Sequence, residues 1–196
     1  MKCEVTGVIL VGGKSSRLGR DKAFLPVGGV PMFEKVLSVL KERMENVILV
    51  GDRPERFAKY GLPVLPDLYP GSALGGLYTG LRTSETRCIF AAPCDLPFAS
   101  GELLDHMLSI REGYDVVVPM TGDDPEPLFA LYSKDCLVPM RDMLEAGNFR
   151  IFDLYPRVRV RRVREDELRR HDVSGKAFLN VNTMEEYERV LGERNR

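Results

Sequence analysis

The stretch that decides the fold reads Val8-Ile9-Leu10-Val11-Gly12-Gly13-Lys14-Ser15-Ser16-Arg17-Leu18-Gly19-Arg20-Asp21-Lys22. An apolar run typical of a buried strand passes directly into a loop that opens with two glycines. Consecutive glycines let backbone N–H groups turn toward a ligand and approach it closely, while Arg17 and Lys22 supply positive charge. The combination predicts a phosphate-binding loop. A tight turn with merely solvated basic side chains is the alternative, and two glycines alone would favour it.

The loop departs from two well-known phosphate-binding motifs. It lacks the Gly-x-x-x-x-Gly-Lys-Ser/Thr order of a P-loop and the Gly-x-Gly-x-x-Gly spacing of a dinucleotide-binding turn. The sequence therefore supports neither a Walker-type ATPase nor an NAD-dependent enzyme.

Outward from this loop, short apolar runs alternate with amphipathic helical stretches. This order predicts an α/β fold, in which helices cover both faces of a mostly parallel sheet. Continuous rather than alternating apolar residues indicate strands that are buried on both faces. The predicted strands cover residues 5–10, 47–50, 64–65, 88–92, 116–119 and 128–131.

Helices are predicted where apolar residues recur at helical spacing. One has Pro31 in its first turn, a second begins at Ser100, and a third covers about residues 135–146. The last helix opens on Thr183-Met184-Glu185-Glu186, which fits a capping box. Because neither a repeat nor a linker interrupts this order, residues 1–196 are predicted to form a single domain.

Composition excludes several classes of protein. With 28 Lys+Arg against 29 Asp+Glu, the chain lacks the positive excess that binding to nucleic acid normally needs. Its longest apolar runs fall far short of the about 20 residues that cross a bilayer. The N-terminus carries no signal-peptide pattern, so we expect a soluble, cytoplasmic protein with no membrane contact. The four cysteines match no zinc or redox spacing.

Two further features have an ordinary structural explanation. The run Arg157-Val158-Arg159-Val160-Arg161-Arg162-Val163-Arg164 alternates with period two, which predicts an exposed edge strand rather than a phosphate or nucleic-acid site. His106 and His171 lie outside every motif, so we expect neither histidine catalysis nor a histidine metal site.

A carboxylate follows the predicted strand at 88–92, within Pro93-Cys94-Asp95-Leu96-Pro97-Phe98. In an open α/β sheet, ligands bind beyond the carboxyl ends of the strands, so Asp95 is expected near the glycine loop. Mg²⁺ on a triphosphate is commonly held by one or two protein carboxylates, which makes Asp95 the leading candidate for a metal ligand. An Asp that closes a proline-stiffened turn is the alternative.

Both segments resemble those of a known family. The glycine loop is similar to the Leu-Ala-Gly-Gly-x-x-x-Arg-Met-Gly-x-x-Lys signature of nucleotidyltransferases, most closely the molybdenum cofactor guanylyltransferases. The segment around Asp95 resembles their Pro-Cys-Asp-x-Pro-Phe metal-binding segment. The resemblance implies a three-layer, Rossmann-like nucleotidyltransferase fold with Mg²⁺ on Asp95. The residues to which it assigns the base, ribose and phosphates are Leu10, Val11, Gly12, Gly13, Arg17 and Lys22.

The resemblance continues as far as Glu186. Asp67 resembles the nucleoside-contacting Asp that precedes Gly-Pro-Leu-Ala-Gly-Ile, although Ser72-Ala73 replaces Gly-Pro here. Val50 stands where the family has an Asn that ends the second strand. Glu126-Pro127-Leu128-Phe129-Ala130-Leu131-Tyr132 resembles the strand that borders the acceptor cleft, and Arg150 the Arg that binds the acceptor phosphate.

Phe178-Leu179-Asn180-Val181-Asn182-Thr183 matches the Phe-x-Asn-x-Asn-Thr segment of the same family. Asn180 and Asn182 would alternate onto one side of a strand. There their amide oxygens would complete the metal or acceptor site. A polar strand end that caps the next helix explains the two residues equally well.

The resemblance implies a transfer of GMP from GTP to the phosphate of a molybdopterin-type acceptor, with release of pyrophosphate. Related cytidylyltransferases tend to carry Ala where this chain has Gly12, which would leave room for a purine. A cytidylyltransferase for molybdopterin and a sugar-phosphate nucleotidyltransferase are alternatives. A non-catalytic GTP-binding module that assists cofactor insertion is another. Proteins of molybdoenzyme maturation are expected as transient partners, and no oligomeric state is predicted.

Overall fold

The computed structural model describes residues 4–12, 22–181 and 183–192. The strands are β1 (Val5–Leu10), β2 (Pro26–Val27), β3 (Val30–Pro31), β4 (Val47–Val50), β5 (Val64–Leu65), β6 (Cys88–Pro93), β7 (Val116–Thr121), β8 (Asp124–Pro125), β9 (Ala130–Ser133) and β10 (Val160–Val163). The α-helices are α1 (Met32–Arg43), α2 (Ala73–Thr83), α3 (Gly101–Ser109), α4 (Leu137–Glu145), α5 (Glu165–His171) and α6 (Met184–Gly192).

Within the described residues, eight strands form one central sheet of order β10-β7-β9-β6-β1-β4-β5, with β8 paired to β7. Strand β1 runs parallel to β4 and β6, and β4 runs parallel to β5. Strand β9 is antiparallel to both of its neighbours, β6 and β7. The prediction of a mostly parallel sheet is confirmed. The carboxyl ends of β5, β4, β1 and β6 therefore meet at one edge of the sheet, together with the start of β9.

Helices cover both faces of this sheet, as the apolar runs predict. Helices α1 and α3 pack on one face through residues such as Phe33 and Leu104. Helices α2 and α4 pack on the other through Leu77 and Met140. All four side chains are 0% exposed, and burial of each stabilises the fold by about 1.5–3 kcal/mol relative to exposure. The result is the three-layer α/β architecture.

Two of the predicted helix starts, those of α3 and α6, are confirmed by their caps. Ser100 caps α3, because its Oγ accepts a hydrogen bond of 3.1 Å from the Leu103 N–H. Thr183 and Glu186 form the predicted capping box at α6, with two reciprocal bonds of 3.1 Å. Pro31 is the N-cap of α1 rather than part of its first turn. The third predicted helix starts as a 3-10 turn, and α4 proper begins at Leu137.

Three segments differ from prediction. Strand β9 starts at Ala130, two residues late, because Phe129 N–H closes a turn onto the Glu126 carbonyl at 3.1 Å. Residues 177–181, around Asn180, form an irregular segment instead of a strand. Helix α5 follows the basic run and was not predicted. The basic run itself forms β10, which is the edge strand that its alternation predicts.

None of the helices in the described ranges combines the length and the hydrophobicity that a bilayer-crossing segment requires.

The carboxylate of Asp115 binds Arg159, which directly precedes the edge strand β10, and this contact provides a first test of the fold. Asp115 is 7% exposed, and its carboxylate accepts bonds of 2.8 Å and 3.1 Å from Arg159 N and Nε and of 2.7 Å from Nη2. These hydrogen bonds from Arg159 lower the pKa of Asp115. We expect Asp115→Asn to reduce the free energy of unfolding at pH 7 by about 1–3 kcal/mol, measured by urea denaturation.

The same pair sets the pH dependence of this effect. Because the folded pKa of Asp115 lies below its ordinary value of 3.8, the stabilisation is present above that value and is lost as the pH falls through the folded pKa. The difference between wild type and Asp115→Asn should therefore shrink under strongly acidic conditions. Asp135→Asn, which breaks an exposed pair with Arg87, should cost less than about 1 kcal/mol. Equal losses in the two variants would contradict the assignment.

Gly51, directly after β4, tests how closely the chain packs around the end of β1. A Cβ at Gly51 would lie 2.8 Å from Val11 Cγ2 and 3.0 Å from Gly12 N. We expect Gly51→Ala to lower the free energy of unfolding by about 1–3 kcal/mol, because the branched Val11 side chain and the Gly12 backbone have little room to yield. The control is Gly12→Ala, whose added methyl meets, among residues 4–12, 22–181 and 183–192, just Gly51 Cα at 3.8 Å. The free energy of unfolding of Gly12→Ala should fall by no more than about 0.5 kcal/mol. A decrease as large as that of Gly51→Ala would refute the packing argument.

Candidate functional site

A cleft of about 1180 Å³ opens at the edge of the sheet where the parallel strands end. It is larger than the roughly 300–1,000 Å³ of a typical small-molecule pocket. The predicted site residues that line it are Leu10, Val11, Gly12, Lys22, Asp67, Asp95 and Asn180. Gly13, Arg17 and Asn182, the other predicted site residues, lie outside the described residues. The fold thus brings together residues that are up to 170 positions apart in sequence, such as Leu10 and Asn180.

Lys22 and Asp95 form the central contact of the cleft. Asp95 follows β6 and is 7% exposed, while Lys22 opens a short 3-10 helix after the glycine loop. Lys22 Nζ donates a hydrogen bond to Asp95 Oδ2. A buried carboxylate is costly unless it is paired. The ammonium group therefore stabilises a negative charge in the cleft and marks Asp95 as a position that accepts a cation.

Cys94 precedes Asp95 and also lines the cleft. Burial raises the pKa of its thiol to about 12, and the neighbouring charge of Asp95 adds to this shift. Because only a thiolate is a strong nucleophile, this thiol remains unreactive at neutral pH.

Asp67 follows β5, and its two carboxylate oxygens have different surroundings. Oδ1 accepts hydrogen bonds from Tyr69 N–H at 2.9 Å and from Thr79 Oγ1 at 3.0 Å. A Cβ added to Gly76 would lie 3.9 Å from Asp67 Oδ2 and 3.1 Å from Leu10 Cδ2. Because Gly76 carries no side chain, Oδ2 and Leu10 border the same space in the cleft wall.

Helix α2 contributes its N-terminus to the same wall. Ser72 is the N-cap, and its Oγ accepts a bond of 3.0 Å from Gly75 N–H. Gly75 and Gly76 lie in the first turn of the helix. Ser72, Ala73 and Gly76 all line the cleft. Free N–H groups at such a helix start favour an anionic ligand.

Arg53 and Arg56 are lining residues that the sequence interpretation missed. Both come soon after β4, so the rule that placed Asp95 beyond the end of β6 could also have found them. The Arg56 guanidinium lies 5.6 Å from the ring centroid of Phe24. Val50, at the position of the family's Asn, is 2% exposed and packs into the core. It offers no polar group to a ligand.

The opposite wall comes from the segment before β9. Glu126, Pro127, Leu128 and Phe129 line the cleft, as does the exposed Asn180. Arg150 is exposed and is not among the lining residues that the described part of the chain provides. The segment before β9 and Asn180 were both associated with strands in the sequence analysis. In the structure, a turn and an irregular segment, respectively, place them at the cleft.

The two histidines stand apart from this lining, as predicted. Their rings are stacked with centroids 4.0 Å apart, and His106 Nε2 lies 2.9 Å from Glu167 Oε1. This contact joins α3 to α5.

Comparisons with known proteins identify the family of this chain and agree with its fold. Residues 7–161 match the family model described as the MobA-like NTP transferase domain. The chain is 42% identical, over 98% of its length and 96% of the relative's, to the probable molybdenum cofactor guanylyltransferase of Pelotomaculum thermopropionicum. It is 33% identical to the molybdenum cofactor guanylyltransferase of Desulfosudis oleivorans, over 95% and 94% of the two chains.

A solved structure shows the same architecture over nearly the whole chain. Molybdopterin-guanine dinucleotide biosynthesis protein A from Archaeoglobus fulgidus superposes with a TM-score of 0.84 at 25% identity, over 97% of this chain and 99% of that one. The family model covers most of the first strand, the glycine loop, Asp67 and Asp95. The chain therefore belongs to the MobA-like NTP transferase family.

Proposed function

We propose that this chain transfers GMP from GTP to the phosphate of a molybdopterin-type cofactor and releases pyrophosphate. The names of its relatives support this reaction. The observation that carries the proposal is the order of strands in the sheet. Strand β6, which Asp95 follows, lies between β1, β4 and β5 on one side and β9 on the other. The carboxylate of Asp95, which we assign to phosphoryl transfer, thus lies between the two halves of one cleft.

The half formed by β1, β4 and β5 suits the nucleotide. Leu10 and Gly12 offer apolar contact and open space for the base, and Asp67 offers a carboxylate oxygen for the nucleoside. The N-terminus of α2 and the cations of Lys22, Arg53 and Arg56 suit the triphosphate. Arg17 is proposed for the same role from the sequence signature alone.

The donor set fits Mg²⁺ as the proposed cofactor. In the described ranges no group of three or more His, Cys, Asp or Glu could form a complete metal cage. Mg²⁺ typically uses one or two carboxylates and takes its remaining ligands from phosphates and water. Asp95 would hold it, with Asn180 and Asn182 as candidate oxygen donors. When bound there, Mg²⁺ supplies positive charge that neutralises the triphosphate.

The residues of the chain contribute alignment and charge rather than a nucleophile. The acceptor phosphate is itself a nucleophile toward the α-phosphorus of GTP, and the protonated Cys94 thiol cannot compete with it. Lys22, held at the centre of the cleft by Asp95, places a positive charge where phosphate charge must be balanced. The wall at residues 126–129 would hold the acceptor in line.

We propose a cytoplasmic location and transient contacts with proteins of molybdoenzyme maturation. The use of GTP supports the first, and a product destined for insertion into molybdoenzymes supports the second.

Asp95→Asn tests the central role of the carboxylate. With GTP, Mg²⁺ and molybdopterin, we expect pyrophosphate release to fall at least about 100-fold, because the neutral amide no longer balances the cationic groups of the site. The measurement is a coupled pyrophosphate assay, with thermal denaturation as the check of folding. Asp123→Asn, in an exposed turn, is the matched control and should retain the wild-type rate. A folded Asp95→Asn enzyme with near-normal turnover would refute the assignment, and wild-type GTP binding without pyrophosphate release would indicate a non-catalytic module.

Gly12→Ala tests the preference for guanine. Of the residues that the structure describes, the added methyl meets just Gly51 Cα, so we expect the fold to tolerate it. It occupies space proposed for the larger purine. We expect the affinity for GTP to fall by about tenfold, as loss of a good fit of this size commonly costs, and that for CTP to change little. The measurement is the thermal shift of the wild type and of Gly12→Ala with GTP, CTP, ATP and UTP in the presence of Mg²⁺. Stronger stabilisation of the wild type by CTP would favour a cytidylyltransferase, and by UTP a sugar-phosphate nucleotidyltransferase.

A further inference from the structure

We infer that Thr79 is a positioning residue for the nucleoside site. In this role its hydroxyl holds one oxygen of Asp67 so that the other remains available to a hydrogen-bond donor of the nucleotide. The inference deepens the proposed function and rests on its assignment of Asp67 to the nucleoside. Thr79 itself lies in the interior of helix α2 and does not line the cleft.

The direction of the hydrogen bonds requires a hydroxyl at this position. Leu68 N–H donates to Thr79 Oγ1 at 2.9 Å, and Thr79 Oγ1 donates onward to Asp67 Oδ1 at 3.0 Å. A hydroxyl has both a proton to give and lone pairs that accept. Valine has the same shape and can do neither.

The surroundings keep this hydroxyl fixed. Thr79 is 1% exposed and lies on a helix whose neighbouring side chains are buried. Tyr69 N–H adds a second bond of 2.9 Å to Asp67 Oδ1. Rotation about the last bond of an Asp side chain is otherwise broad and roughly two-fold, so the two oxygens would exchange freely. The two bonds to Oδ1 remove that freedom.

The other oxygen is left at the cleft wall. Asp67 Oδ2 lies near Gly76 and Leu10, both of which line the cleft. Within the described part of the chain, the bonds found for the Asp67 carboxylate all involve Oδ1. An acceptor oxygen with a fixed direction selects a ligand that carries O–H or N–H donors, such as the ribose or the base of a nucleoside triphosphate. Inorganic triphosphate has no such group.

The test compares two ligands, GTP and inorganic triphosphate, by titration calorimetry in Mg²⁺ buffer. Thr79→Val should weaken GTP binding by about five- to tenfold, the effect of one lost hydrogen bond. Its affinity for triphosphate should stay within about twofold of the wild type. Thr79→Ser keeps the hydroxyl and should restore GTP binding. Should Thr79→Val fail to fold, Thr79→Ala removes the same hydroxyl without the second methyl group.

A double mutant separates positioning from a general structural effect. In the Asp67→Ala background, Thr79→Val should weaken GTP binding by no more than about twofold further. Ser84→Ala is the matched control, because Ser84 ends the same helix and its buried hydroxyl bonds to Thr6 Oγ1 at 3.0 Å. That variant should lose stability and leave the ratio of GTP to triphosphate affinity unchanged.

The possible failures are distinguishable. If Asp67→Ala weakens GTP binding and Thr79→Val does not, the positioning role is overturned while the nucleoside contact stands. If Thr79→Val weakens both ligands equally, its effect is general distortion and the inference is also overturned. If Asp67→Ala binds GTP as tightly as the wild type, the nucleoside assignment of the proposed function is wrong, and the inference falls with it.

Discussion

The cleft depends on how closely neighbouring backbone approaches the carboxyl end of β1. A Cβ at Gly80 would lie 2.6 Å from Val8 Cγ1, and one at Gly51 would lie 2.8 Å from Val11 Cγ2. The side chains of Val8, in β1, and of Val11, directly after it, thus each meet a glycine. Helix α2 consequently lies close against the strand, which brings Thr79 within reach of Asp67. Larger residues at these glycines would move the helix and open the wall of the cleft.

Charge in the cleft follows from a second constraint, the cost of burying Asp95. A carboxylate that is 7% exposed needs a cation to offset the loss of water, and Lys22 supplies it. Phosphate groups are also partners for an ammonium. A triphosphate in the cleft would therefore compete for Lys22 and leave Asp95 with need of another cation. Under the proposed function, the pairing of Lys22 with Asp95 would thus prepare the cleft for a nucleotide that arrives with its metal ion.

Much of this arrangement could be predicted from the sequence, because it depends on local patterns. The run at Val5–Leu10, the caps at Ser100 and Thr183, and the position of Asp95 after an apolar strand all involve neighbours in sequence. Arg53 and Arg56 follow the same rule, but basic residues at the start of a short 3-10 helix carry no distinguishing pattern. Thr79 was beyond prediction, since the role inferred for it arises from contact between the middle of a helix and Asp67, 12 residues earlier in the chain. The strand predicted around Asn180 does not form. A strand also needs a neighbouring strand with which to pair, and sequence spacing does not reveal whether one is present.

The reversal of β9 decides where the acceptor half of the cleft lies. Strand β9 pairs antiparallel with β6, so that Ala130 lies opposite Ala91 and Ser133 opposite Cys88. The residues before Ala130 consequently emerge at the same edge of the sheet as Asp95. Had β9 run parallel to β6, this segment would enter from the other edge, about 13 Å away for a strand of this length. The antiparallel strand therefore brings the segment before Ala130 and the carboxylate of Asp95 into a single cleft.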